Sequence, residues 1–340
     1  MSRLDAIAGL NAGSYQRHPL HGGAGAGRGA IPPPVWTEKN CYADLWIAVL
    51  HALRLEPLAM LPCTLAVDFE GDQWTFFKPS LDALYVLYGI DVQELNVWRP
   101  LIEHVTEHLS TGKLISTEAD AFWLPDTAGT DYRTQHTKTT ILIASLDAQA
   151  SQLGYFHNAG YFELAGEDFR QVLRVDAAAA GPLPLYAELV RTDRLVRREP
   201  AELASLSLAL LRTQLLRRPA TNPFLRFGDR LTRDLPELQA RGLPHYHAWA
   251  FASIRQAGAA FDLLAANLRW QAGFGHPALI PAAECFDTIA QANKALILKG
   301  ARAVNAGRPF DAAAMCATMA QAWEQGMTLL SEALDAGPQT

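Results

Sequence analysis

The sequence predicts an α+β protein, with a mixed helix-and-strand domain over 35–178 and an all-helical domain over 185–335. Three observations lead there. From Val35 to about Val175, β-branched and aromatic runs alternate with amphipathic stretches closed by glycine. Beyond about residue 180, Ala- and Leu-rich stretches with helical spacing take over, at 200–218, 245–272, 281–305 and 311–335. "AAGPLPL" (179–185) supplies the breakers expected of a seam between the two. With 340 residues, 49% apolar and 19% charged, the chain is long enough to fill two ordinary cores.

Residues 1–34 read as a flexible N-terminal arm. "HGGAGAGRGAIPPP" (21–34) is glycine-rich and then proline-rich, and with no strand before it and no helix directly after, it is a linker rather than a phosphate loop. "KNCYADLWIAVLHAL" (39–53) follows as a helix. Asn40 is a good N-cap, and Leu45, Ala48, Val49, Ala52 and Leu53 are spaced as a buried stripe. "TLAVDFEG" and "QWTFF" read as paired strands around Gly71 and Asp72. "PSLDALYVLYGI" and "VWRPLIEHVTEHLSTG" read as helices stopped by Gly89 and Gly112. "KLISTEADAFWLP" and "KTTILIASLD" are strands, "LGYFHNAGYFEL" is a hairpin turning at Asn158-Ala159-Gly160, and "GEDFRQVL" opens a helix with acids in its first turn.

The totals exclude several function classes. A net charge of −6 argues against a dedicated nucleic-acid binder, which needs a basic face. No apolar block follows Arg3 and Asp5 as a secretory signal requires, and no run nears the roughly 20 residues that span a bilayer. Cysteines stand at 41, 63, 285 and 316 with no CxxC spacing, which fits neither a thiolate zinc site nor a disulfide framework. The expectation is a reduced, cytoplasmic protein with no membrane partner.

Cys41 stands in the first turn of its helix, where unpaired N–H groups and the macrodipole favour a thiolate. A thiolate nucleophile needs a base, and the base an orienting group. His136 lies just before the β-prone run, and His157 and Asn158 end the next strand, so the order Cys, His, Asn matches a papain-like arrangement. Cys63, Cys285 and Cys316 lie in apolar stretches and are expected to be inert. Asp120, Asp126 and Asp131 are candidate contacts for an amine, and His157 is structural or lines the site. Trp249, Phe251, Phe261 and Trp270 are expected in the core. Arg255 and Asn267, polar among apolar neighbours, are candidate substrate contacts should a cleft lie between the domains.

Two further patterns compete. "HVTEH" (104–108) places His104 and His108 four apart on one helix face with Glu107 beside them, as in one class of zinc hydrolase, though no third ligand is evident beyond Glu118. Residues 191–233 hold ten arginines against four acids, a local charge of +6 that would steer an acidic partner.

Four stretches resemble a bacterial domain-of-unknown-function family (type 1839): "NCYADLWIAVLHALRL", "DAFWLPDT", "YRTQHTKTTILIASLD" and "YFHNAGYFELAGEDF". The likeness covers nearly the whole chain. That family is in turn remotely similar to the amino-terminal domain of the butirosin-biosynthesis acyltransferase. This second resemblance implies a papain-like (cysteine-peptidase-like) fold that takes an acyl group from a carrier-protein thioester. Its pattern falls on Cys41, on Asp120 of "DAFWLP", on His136 and, with Asn replacing Asp, on Asn158. The papain-type oxyanion Gln is absent, "PVWTEKN" offering Trp36, Glu38 and Asn40 instead. The implied roles are Cys41 as nucleophile, His136 as base and Asn158 as orienter, and the match supports Asp120 as a substrate contact, beside which His157, Arg255 and Asn267 stand as candidates read from the residues alone. The implied donor is an acyl or aminoacyl group on a carrier protein's phosphopantetheine, docked through the Arg-rich segment, and the acceptor is a small amine in secondary metabolism. No resident cofactor is expected. A catalytically inactive carrier-binding module and the zinc hydrolase are the alternatives.

Overall fold

The computed structural model describes residues 3–23, 33–176, 184–308 and 310–336. Leu4–Asp5 form β1, Cys41–Ala52 α1, Phe69–Glu70 β2, Gln73–Trp74 β3, Leu81–Tyr88 α2, Asp91–Glu94 β4 and Leu101–Leu109 α3. Leu114–Asp120 form β5, Lys138–Asp147 β6, Gln152–His157 β7, Gly160–Ala165 β8, Glu167–Val172 α4 and Ala187–Arg191 β9. Then come α5 (Pro200–Leu216), α6 (Pro223–Arg241), α7 (Leu243–Ala252), α8 (Ile254–Ala272), α9 (Ile280–Ala306) and α10 (Ala312–Asp335). Among the described residues no helix is long and apolar enough to cross a membrane.

Two compact units emerge, and each is discontinuous in sequence. The first gathers the chain up to His18, Cys41–Pro57 and Ser80–Arg198; the second gathers Pro19–Asn40, Leu58–Pro79 and the chain from Glu199 on. The expected seam at 179–185 is therefore misplaced. Its residues 179–183 lie outside the described ones, and the next strand, β9, still belongs to the sheet, so the helical region begins at Pro200. The expected flexible arm is also corrected in part. β1 pairs with β6, Leu4 opposite Leu146, and His18, Leu20 and His21 are buried. Residues 24–32 of that arm lie outside the described ones.

In the first unit all strand pairs are antiparallel, in the order β4-β9-β5-β6-β7-β8 with β1 joining β6. The long β-branched run of β6 sits centrally, and the hairpin turns at Asn158, whose φ of 46° suits Asn better than a β-branched residue. One face packs Ile115, Ala119, Ile141, Ile143, Leu153 and Tyr155 against Leu101, Val105 and Leu109 of α3 and Phe169 and Val172 of α4. Each such fully buried aliphatic or aromatic side chain contributes about 2 kcal/mol. Strand register places Glu188, Ser116, Leu142 and Phe156 opposite one another, so they form a row on the other face. There α1 packs on β6, β7 and β8. Tyr15 ties the two together: its hydroxyl donates to the Ala48 carbonyl (3.2 Å) and its ring meets Phe156 edge-on. Every residue from Ala43 to Leu50 is buried, so α1 is enclosed rather than amphipathic.

The second unit is a helical assembly in which α8 packs on α9, α9 on α10 and α10 on α6. Trp36 is seated against α8 at Gly258, where a Cβ would lie 2.7 Å from the indole. Its backbone N–H and that of Val35 donate to Asp262, and its indole N–H donates to Ala290 O. The β2–β3 hairpin turns at Gly71 and Asp72 as the sequence suggests, and Trp74 packs on Phe224 and Phe227. The stretch expected as one helix over 245–272 is two, α7 and α8, divided at Ser253, whose hydroxyl turns back to Trp249 O.

Candidate functional site

Cys41 opens α1, half-buried, directly after Asn40. None of the four cysteines is in a disulfide. Burial pushes the Cys63 and Cys316 thiols up to about 12 and raises that of Cys285, so these three remain protonated at neutral pH.

His136 lies two residues before β6, and antiparallel register sets Asp120 at the end of β5 opposite Lys138. The consequence is a direct pair: Nδ1 of His136 lies 2.6 Å from Oδ2 of Asp120. An ionised carboxylate only accepts, so Nδ1 carries the proton and the lone pair of a neutral ring sits on Nε2. The imidazole stacks on Phe122 at 4.4 Å between centroids and is 70% exposed. Asp120 also accepts from the Phe122 N–H, which fixes its own orientation. Side chains alternate along β5, so Asp120 shares the face of Ser116 and Glu118, which is the face that carries α1. Cys41 and the His136–Asp120 pair thus belong to one side of one sheet.

Asn158 does not take the orienting role expected of it. Its side-chain nitrogen lies 3.4 Å from Nδ1 of His157, whereas the partner of His136 is Asp120. His157 itself is buried in a second network. Nδ1 donates to Asp126 Oδ2 (2.6 Å), Nε2 meets the Thr139 hydroxyl (2.8 Å), and Tyr155 donates to the other Asp126 oxygen (2.6 Å). His157 and Asp126 are 2% and 3% exposed, so a role in lining the site is replaced by one in holding the 121–136 loop to the hairpin. Nearby, Asp168 accepts from Tyr132 and Arg133, and the Arg133 guanidinium lies over Trp123.

The other expected substrate contacts, Arg255 and Asn267, belong to the second unit. Asn267 is fully buried in the second unit and donates to Leu58 O and Ser207 Oγ, a packing role. Arg255 lies over the ring of Phe251, which is exposed rather than in the core. His104 and His108 stack, His104 meets Trp98 edge-on, and Glu107 pairs with Arg99. Among the described residues no group of three potential ligands assembles. The basic segment is divided between the two units. Arg191, Arg194, Arg197 and Arg198 belong to the first unit, and the arginines from Arg212 on to the second. Many are engaged internally, Arg191 with Asp193, Arg194 with Asp91, Arg198 with the Leu87 carbonyl, Arg226 with Asp68 and Arg230 with Asp234.

One group of residues escaped sequence reasoning altogether. Glu188 of β9 is buried, its oxygens accepting from Ser116 (3.1 Å) and Tyr186 (2.9 Å). Tyr42, next to Cys41, feels the same carboxylate, and burial together with that charge pushes its phenol up to about 12. The signal for the His136–Asp120 pair was present in outline, since the last residue of one strand and the first of the next must meet across an antiparallel turn. Glu188 had no such signal, because "AELVR" is short and carries helix formers.

Comparison with protein families agrees with this layout. The DUF1839 N-terminal domain matches residues 28–192 and the DUF1839 C-terminal domain residues 200–332. The chain belongs to the DUF1839 family. The gap between the two matches, 193–199, brackets the passage from β9 to α5. In this DUF1839 chain Cys41, Asp120, His136 and Glu188 all fall within the N-terminal match. A search of curated proteins finds no match.

Proposed function

We propose that this chain is a cysteine-dependent acyltransferase of papain-like fold, transferring an acyl or aminoacyl group from a carrier-protein thioester to an amine. The observation that carries the reading is the His136–Asp120 pair at 2.6 Å, on the sheet face against which the helix opening at Cys41 packs. A helix-start cysteine over an antiparallel sheet, with a histidine leading one of its strands, is also the arrangement that the resemblance to papain-like acyltransferases leads one to expect.

In this mechanism the Cys41 thiolate attacks the thioester carbonyl, the C–S bond to phosphopantetheine breaks, and the departing thiolate takes a proton from the His136 imidazolium. The amine then attacks the acyl-cysteine, His136 accepts its proton, and Cys41 leaves as thiolate. Asp120 holds the imidazole with Nδ1 protonated, in place of Asn158. The Cys41 backbone N–H, at the start of α1, is the first candidate oxyanion donor. A nucleophilic thiol of this kind suits a reducing compartment such as the cytoplasm.

The test is transfer from acyl and aminoacyl N-acetylcysteamine thioesters to a panel of small amines, with mass spectrometry of the Cys41 peptide. An acyl adduct on Cys41, and loss of transfer in Cys41→Ala, are the expected results. Transfer that survives Cys41→Ala would end the proposal. Carrier-protein binding with neither an adduct nor transfer would instead favour an inactive docking module.

A further inference from the structure

Glu188 is a buried carboxylate without a cationic partner, on the sheet face that carries α1. The residue is 7% exposed, its oxygens accept from two hydroxyls, and among the described residues no Lys, Arg or His pairs with it. Hydroxyl donors satisfy lone pairs without neutralising charge, and a buried carboxylate without a cation is costly. Its cross-strand partner on β4 is Glu94, a second carboxylate on the same face. Other acids of that face have partners, Glu118 with Lys138, Asp120 with His136 and Glu163 with Arg3. Glu188 is thus left without a cation, and its charge reaches Tyr42 in the first turn of α1. Tyr186 is 42% exposed, which opens this corner to solvent.

We infer that Glu188, with Ser116, Tyr186 and Tyr42 around it, is the subsite that binds the ammonium group of an amine substrate next to Cys41. Two hydroxyls already aim the carboxylate, and an ammonium donates into the lone pairs they leave. The inference rests on Cys41 marking the active site, and it names cationic amines as the substrate class.

The test uses charged thiol reagents on the intact chain and reads labelling at Cys41 by peptide mass mapping. Aminoethyl methanethiosulfonate is cationic and the sulfonatoethyl reagent anionic; each is attacked by the thiolate at sulfur, forming a disulfide and releasing methanesulfinate. The α1 N-terminus alone favours the anion. The Glu188 subsite predicts the reverse, with Cys41 preferring the cation by about tenfold over the ratio for the urea-unfolded chain. Glu188→Gln, which keeps the shape, should abolish the preference. A wild-type measurement guards against a variant that does not fold: the aminoethyl adduct at Cys41 should melt above the uncharged ethyl adduct. Equal rates, a preference for the anion, or adducts of equal stability would overturn the subsite. A cation preference in a protein that transfers no acyl group would instead sink the proposed reaction and leave the amine site standing.

Discussion

His136 and His157 each hold a carboxylate at 2.6 Å from Nδ1, yet the two pairs sit in opposite surroundings. His136 is 70% exposed, stacked on one ring and open at Nε2, whereas His157 and Asp126 are sealed, with Thr139 closing Nε2 and Tyr155 taking the remaining carboxylate oxygen. An exposed pair of this kind contributes little stability, about 0–1 kcal/mol. Its geometry suits proton transfer. A sealed pair has no access to substrate, and removing one member strands the other in a dry interior. On the proposed mechanism the same two residue types serve reaction in one place and architecture in the other, and burial decides which.

Four substitutions sharpen this contrast. The largest expected effect is His136→Ala, which should lower acyl transfer about a thousandfold while the urea midpoint stays put. Asp120→Asn should give a smaller loss in the same assay, since it disturbs only the tautomer. Next, Asp126→Ala should lower the unfolding free energy by about 3 kcal/mol, read by urea titration. A fall in transfer without a fall in stability would move that pair from architecture to chemistry. The smallest effect concerns His51, which has no carboxylate. Burial lowers its pKa from the ordinary value, although a hydrogen bond donated by its ring to the Gln16 backbone opposes the shift. Since the folded state binds the proton less readily than the unfolded one, this contribution is present above pH of about 6.5 and is lost as pH falls. His51→Gln should flatten the decline in urea midpoint between about pH 7 and pH 5.

How much was legible in the sequence depended on how local the cause was. The run "KTTILIASLD" became β6 residue for residue, and Asn158-Ala159-Gly160 turned the hairpin, because chain stiffness and turn chemistry act within a few residues. Cys41 opened its helix for the same reason. By contrast β1, β4 and β9 are only two to five residues long and exist because a neighbouring strand offers hydrogen bonds. α6 was missed because its polar face is rich in arginine, which reads as a charged surface stretch. At the candidate site, Asp120 and His136 were recognised separately, but their pairing follows from strand register. The burial of Glu188 and Asn267 follows from long-range packing, which no single segment encodes.

The placement of β9 has a consequence for how the chain comes to be. It lies between β4 and β5, so those two strands never touch, and the row from Glu188 to Ser116 joins residues separated by 72 positions. During synthesis the sheet stays in two pieces until β9 has emerged, and such distant pairing makes for slow closure. A ribosome-bound or truncated chain ending near residue 185 would hold Cys41, Asp120 and His136 yet lack the strand that locks β5 in place. The scaffold under Cys41 is thus completed by nearly the last residues of its own unit, and the two family matches divide just after that point rather than before it.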